Sequence, residues 1–276
     1  MKHKKRQRTE RRPPKGNKAP RSTTPARSLP TRVPEAVFVP TVPSGSSRIS
    51  GGYFESAAAI DSQPDDDAPP ATVYRFLRAQ GEVDALLAGG VWLSTLERCR
   101  AYEEPGRGDP HEAQFTRQIE HMQLDGLNPE HRRIAKSVGV ALEGDVHMTM
   151  RRHTGVTKIR DAFVLCATIE FKPEKMSEFG GYCVAISHIE QFYRLVTDAV
   201  AKEHPIVAAR HGRVKYASRT AADTELASGP LGFVKPPDSY QHQQEYRFLW
   251  QVHEKIQPRV FNCPDVLPLV RQVFLS

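Results

Sequence analysis

Gln243, Glu245 and Arg247 place an amide, a carboxylate and a guanidinium at alternate positions near the end of the chain. Tyr246, Phe248, Trp250 and Val252 occupy the intervening positions. In a strand, side chains two apart share a face, so one face is apolar and the other carries the three polar groups. The apolar face fixes the strand in a core. Glu245 and Arg247 then stand roughly 7 Å apart at their backbones, two residues of strand rise. A charge held there without a partner is costly, so the polar face is either a structural ion pair or a site.

The elements that must hold this strand follow from periodicity and turn signals. Strands are expected at 72–77, 91–94, 145–150, 163–171, 182–186, 213–217, 245–252 and 259–262. A short helix over 82–88 stops at Gly89-Gly90, and Asn128-Pro129 starts another. Asp109-Pro110-His111-Glu112 has the form of a helix start, with Phe115, Ile119 and Met122 as the helical face behind it. Ser187 and Glu190 form a capping box for a helix whose apolar face is Ile189, Phe192, Val196, Ala199 and Val200. With no regular strand-helix repeat, the fold class is α+β, with mixed, mostly antiparallel sheets and three or four helices.

Charge and proline divide the chain. Residues 1–32 hold 12 Lys or Arg against one acidic residue, a charge of +11, while the remaining 27 basic and 31 acidic residues sum to −4. Residues 1–70 contain 11 of the 22 prolines. Such a stretch buries too little apolar surface to offset chain entropy, so 1–70 is read as a disordered basic tail and 71–276 as a single domain. Lys4, Lys5, Arg6, Arg8, Arg11 and Arg12 have the composition of an arm that draws RNA or DNA by counterion release without reading sequence. No segment is long and apolar enough to span a membrane, which points to a cytoplasmic protein. Cys99, Cys166, Cys183 and Cys263 are widely spaced, and Cys166 and Cys183 read as reduced core residues. The histidines are scattered, so no metal site is expected, and no carboxylate cluster supports a nuclease.

Several pieces in order resemble a family of bacterial and phage proteins defined as a domain of unknown function. They are Tyr74-Arg75-Phe76, Arg107-Gly108-Asp109 to Glu112, Val164-Leu165-Cys166, Phe179-Gly180-Gly181-Tyr182, Phe233-Val234-Lys235-Pro236, and Tyr240 with Glu245-Tyr246-Arg247-Phe248. The resemblance spans about residues 72–255. That family often has Glu-Gly where this chain has Glu112-Ala113, a departure that bears on any role for Glu112.

A second resemblance suggests a reaction. The order Arg75, Thr168, Gln243-x-Glu245 is similar to that of ADP-ribosyltransferases, which implies NAD as substrate, no metal, and a macromolecular target, with phage-host conflict as the setting. The resemblance gives Glu245 the oxocarbenium ion formed when the nicotinamide-ribose bond breaks, Gln243 the incoming nucleophile, and Arg75 the pyrophosphate. Tyr74, Thr168 and Arg247 join the substrate-binding set, and Lys235 and Tyr240 are candidates for contacts to a phosphate and a base. The other reading is a non-enzymatic, nucleic-acid-associated module. In it the arm binds and Glu245 pairs with Arg247 or Arg75.

Overall fold

The computed structural model describes residues 53–56, 68–102, 108–225 and 227–275. The described chain begins with β1 (Tyr53–Ser56), β2 (Thr72–Leu77), α1 (Gln80–Leu87), β3 (Gly90–Thr95) and α2 (Leu96–Ala101). It continues through β4 (Gln114–Asp125), α3 (Pro129–Ser137), β5 (His147–Ile159), β6 (Ala162–Thr168), β7 (Tyr182–Ser187) and α4 (Ile189–Ala201). It ends with β8 (Ile206–Arg213), β9 (Lys215–Tyr216), β10 (Thr220–Ala222), β11 (Val234–Lys235), α5 (Pro237–Tyr240), β12 (Glu245–Val252), β13 (Arg259–Asn262) and β14 (Val270–Val273). The architecture is α+β with mostly antiparallel sheets, and the strand opening on Glu245 runs over 245–252 as its alternation requires.

β6 is the axis of the larger sheet. One of its edges pairs antiparallel with β12 along its whole length, and β12 in turn pairs with β8. The other edge is shared: β3 takes Phe163 and Val164, β2 takes Thr168, and β2 continues to β7 and β14. Phe163, Leu165 and Ala167 of β6 and Tyr246, Phe248 and Trp250 of β12 face the main core with Phe192 and Val196 of α4. Burying one such aromatic side chain contributes roughly 1.5–3 kcal/mol, so this face anchors the sheet. By alternation, Val164, Cys166 and Thr168 of β6 and Glu245, Arg247 and Leu249 of β12 turn to the opposite face. There Val164 and Leu249 pack with Leu96, Ala113, Ile159 and Phe233, leaving the polar residues beyond them.

Arg75 fills the place where β2 and β3 part along β6. Its register partner is Val184, a main-core residue, and its Nη2 donates to the Trp92 carbonyl of β3 at 3.0 Å. The guanidinium therefore ties the two strands that share β6's edge.

A smaller four-stranded sheet has the order β1-β5-β4-β10. The helix expected behind Asp109 is instead strand β4. Asp109 makes one turn, its side chain accepting from the His111 N–H and its carbonyl from the Glu112 N–H, and the chain then extends. The three-residue interval between Ile119 and Met122 imitated a helix because the buried face switches there: Arg117 and Ile119 are buried, then Met122 and Leu124. Opposite, Arg152 takes a positive φ of 47°, and β5 switches with it while the register holds. Ile119, Met122, Leu124 and Met150 pack on Ile134, Ala135 and Val138 of α3. β1, within the segment expected to lack structure, pairs parallel with β5. The expected capping box of α4 does not form. His188 is the N-cap in a left-handed conformation, and the Ser187 hydroxyl donates to the Leu269 carbonyl.

Gly180, with φ of 143°, passes so close to β2 that an added Cβ would stand 1.9 Å from the Leu77 carbonyl oxygen. Gly180→Ala should cost about 2 kcal/mol through a backbone clash no side chain can relieve. An unchanged urea midpoint would show that the turn yields.

Candidate functional site

Directly opposed residues in neighbouring strands carry their side chains on one face. Tyr74 opposes Thr168, and Thr168 opposes Glu245, giving a row across β2, β6 and β12. One step along, Cys166 opposes Arg247. A cavity of about 80 Å³ opens over these positions. It is lined by Tyr74, Phe76, Met176 and Phe179 as an apolar wall, and by Cys166, Thr168, Gln243 and Glu245 among its polar groups. Glu112, Lys235, Arg247 and Cys99 reach the same cavity. Phe171 extends the wall, its ring centroid 5.2 Å from that of Tyr74.

The sequence places Glu245 at the start of β12 by a specific turn. Gln241–Gln243 form a 3-10 turn, and Gln244 follows in the left-handed region with φ of 43°. That reversal lets Gln243 and Glu245 both reach the cavity although they no longer lie on one strand. The Glu245 N–H donates to the Tyr216 hydroxyl at 2.7 Å, and its carbonyl accepts from the Val214 N–H.

Beneath the cavity lies a buried lattice of charge. Arg247 is 1% exposed. Its Nε donates to Glu245 Oε1 at 2.7 Å, and its two Nη atoms donate to the two oxygens of Glu112 at 2.7 and 3.1 Å. Lys235 Nζ lies 2.6 Å from Glu245 Oε2 and 3.9 Å from Glu112 Oε2, and it donates to Gln243 Oε1 at 3.3 Å. Arg219 closes the outer side, pairing with Asp109 and approaching Glu112 to 4.0 Å. Three carboxylates therefore face three cations. Pairing of this kind is what makes burial of six charges tolerable.

Burial alone would push the Glu245 carboxyl up, but Arg247 and then Lys235 overcome it and hold the group well below the usual carboxylate range. Asp109 is likewise lowered, burial being opposed by Arg219. Lys235 is raised: burial would lower it, and Glu245 and Glu112 more than compensate. Burial pushes the Tyr216 phenol up to about 12, so its hydroxyl stays neutral beneath the Glu245 backbone. Cys166 is reached by solvent through the cavity, yet the surrounding protein and then Glu245 keep its thiol well above its ordinary value. The site thus presents a carboxylate that its cations favour in the ionised form and a thiol that its surroundings favour as neutral.

The structure brings Tyr74, Thr168, Gln243, Glu245, Lys235 and Arg247 to one cavity. It does not bring Arg75, which lies on the opposite strand face because it alternates with Tyr74 and Phe76. Tyr240 donates its hydroxyl to the Gly108 carbonyl at 2.9 Å and presents its ring to Lys235 Nζ at 4.8 Å, so it packs behind the lattice. The Thr168 hydroxyl is engaged with the backbone of Glu170. Lys4, Lys5, Arg6, Arg8, Arg11 and Arg12 lie outside the described residues.

Glu112 was legible only as a cap, and it is the bidentate partner of Arg247. Ala113 behind it holds φ of 55°, the left-handed conformation at home in glycine. Cys166, expected in the core, borders the cavity instead because it shares the face of Thr168. Among the described residues, no group of three or more His, Cys, Asp or Glu is placed to hold a metal ion. No helix of the described residues is long and apolar enough to cross a membrane. Comparison with protein-family models, with curated proteins and with solved structures found no match to this chain in any of the three.

Two outcomes follow from the lattice. Arg247→Met leaves Glu112 and Glu245 with too few partners, and urea unfolding should show a loss of about 3–5 kcal/mol. The depressed Glu245 carboxyl stabilises the fold fully above its unfolded value near 4.5 and less as pH falls below it. Glu245→Gln should therefore flatten the decline in stability below about pH 4.5, and an identical acid limb in both proteins would contradict the assignment.

Proposed function

We propose that this cavity is the reaction site of an ADP-ribosyltransferase-like enzyme that takes ADP-ribose from NAD and passes it to a macromolecular target. The observation that carries the reading is the row Tyr74, Thr168 and Glu245, with Gln243 beside it, around one cavity whose carboxylate stays ionised. In this reaction the bond from ribose C1′ to the pyridinium nitrogen breaks and its electron pair stays with nitrogen. Neutral nicotinamide leaves, and the ribose carries the positive charge as an oxocarbenium ion. Glu245 stabilises that charge, fixed in place by Arg247, Lys235 and the Tyr216 hydroxyl, so no reorganisation is needed as it develops. Gln243 orients the acceptor, whose proton passes to solvent because so strongly stabilised a carboxylate is a weak base. The bacterial and phage family that the chain resembles supports phage-host conflict as the setting.

One observation favours a second reading, a non-enzymatic nucleic-acid-associated module with a basic arm. Glu245 and Arg247 are 4% and 1% exposed and satisfy each other, as a purely structural pair would. In that case the arm binds RNA or DNA and the lattice only stabilises the domain.

Incubation of the full chain with adenylate-labelled NAD and cell lysate separates the two. The transferase reading expects label on a macromolecule and release of nicotinamide, with Glu245→Gln lowering both about a hundredfold or more while the protein stays folded by circular dichroism. Absence of label transfer and of NAD breakdown, or rates unchanged in Glu245→Gln, removes the enzyme reading. Salt-sensitive nucleic-acid binding lost on deletion of residues 1–32 would then establish the second.

A further inference from the structure

The segment that joins β6 to β7, residues 169–181, bears on how anything reaches the cavity. In the larger sheet β2 stands between β6 and β7, so this connection has to pass over β2 on one face or the other. It passes over the site face. The Phe171 ring centroid lies 5.2 Å from that of Tyr74 and 6.3 Å from that of Phe76, and Met176 packs with Phe76 and Cys183. Met176 and Phe179 then line the cavity together with Thr168, Gln243 and Glu245.

The segment is built as a unit. The N–H groups of Lys175, Met176 and Phe179 donate to the carbonyls of Lys172, Pro173 and Met176, so these backbone bonds close within it. Lys172 pairs with Glu170, again within it. Its two ends are fixed: the Ile169 N–H donates to the Gln244 carbonyl, and Gly180 is pressed against the Leu77 carbonyl. Between the ends, side chains tie it to the body. Phe171 meets the two rings of β2, Met176 is buried at 7% exposure, and Glu178 Oε1 lies 3.2 Å from His242 Nε2. His242 belongs to the 3-10 turn that carries Gln243, so this last contact joins the segment to the turn that presents the site's amide.

A stretch whose backbone bonds are its own, held down by a few side chains, opens at a lower free energy than the strands that flank it. The cavity it walls measures about 80 Å³, against roughly 300–1,000 Å³ for pockets that enclose whole ligands. Solvent reaches Cys166 through it, but a ligand of ordinary size does not fit.

We propose that residues 169–181 form a lid, that Glu178 and His242 are its latch, and that a ligand reaches Glu245 and Gln243 only while the lid is raised. The proposal concerns access to the cavity and goes beyond the transfer of ADP-ribose, on which it does not depend.

Cys166 on the cavity floor reports the opening. The full chain is treated with dithiobis(nitrobenzoate), an aromatic disulfide too large for the closed cavity, and modification at each cysteine is followed by peptide mass beside hydrogen exchange over 169–181. The Lys175, Met176 and Phe179 amides should exchange together and faster than those of β6, and Cys166 should react at a rate set by the same opening. His242→Ala should raise both rates by one factor, about two- to fivefold, as a partly exposed pair is worth. Glu178→Lys combined with His242→Glu should return both to the native values, and Met176→Ala should raise both about tenfold or more. Rates that neither His242→Ala nor Met176→Ala moves would overturn the proposal, as would faster exchange with an unchanged Cys166 rate, because the cavity would then be entered without the lid. Cys166 reacting only in step with Cys263 of the main core would also overturn it, since entry would then require the whole fold to open. None of these rates involves NAD, so failure here leaves the transferase reading standing, and loss of that reading leaves the lid.

Discussion

Arg247 is buried on the site face of the sheet against two carboxylates, and much of the local architecture serves that pairing. Glu245 comes from two residues earlier on the same strand, and Glu112 from the turn that precedes β4. Lys235 on β11 balances the second negative charge, and Arg219 with Asp109 completes the set. Removing any one member leaves a buried charge uncompensated, so three segments of chain, the Asp109–Glu112 turn, the one carrying Arg219 and β11, are held to β12 by one electrostatic condition. The left-handed conformations of Ala113 and Gln244 are local costs offset by it, since each turns the chain to deliver a carboxylate.

The same lattice sets the chemistry of the cavity above it. A carboxylate oriented by a guanidinium, an ammonium and a backbone hydrogen bond stays ionised and has little freedom to move. Such a group suits charge stabilisation better than proton transfer. The aromatic wall has a separate origin: Tyr74 and Phe76 project from β2 on the site face, and Phe171 and Phe179 come from the loop between β6 and β7. The reaction site proposed for the chain is where these two independently built surfaces meet.

Strand alternation made the central sheet legible. The spans of β2, β12 and β13 follow from residues 72–77, 245–252 and 259–262, because each has one face packed in a core. The site face of β12 was equally legible, since an Arg and a Glu opposite four large apolar residues demand partners. What alternation could not give was their identity. Glu112 lies 133 residues before Glu245 in the sequence, and its segment had a sufficient local explanation as a helix cap. β4 was hidden because its buried face switches between Ile119 and Met122, which reproduces helical spacing. Arg75 shows the converse: its place in the order of a known motif was suggestive, but its parity relative to Tyr74 already put it on the wrong face.

On the proposed function, the nicotinamide end of NAD enters the cavity beside Glu245. A crystal structure of the full chain soaked with NAD addresses it most directly. The account predicts density for a planar ring against Tyr74 and Phe76, with the ribose beside Glu245 and the pairing of Glu245 with Arg247 intact. An empty cavity at saturating NAD, or NAD bound elsewhere on the chain, would contradict it.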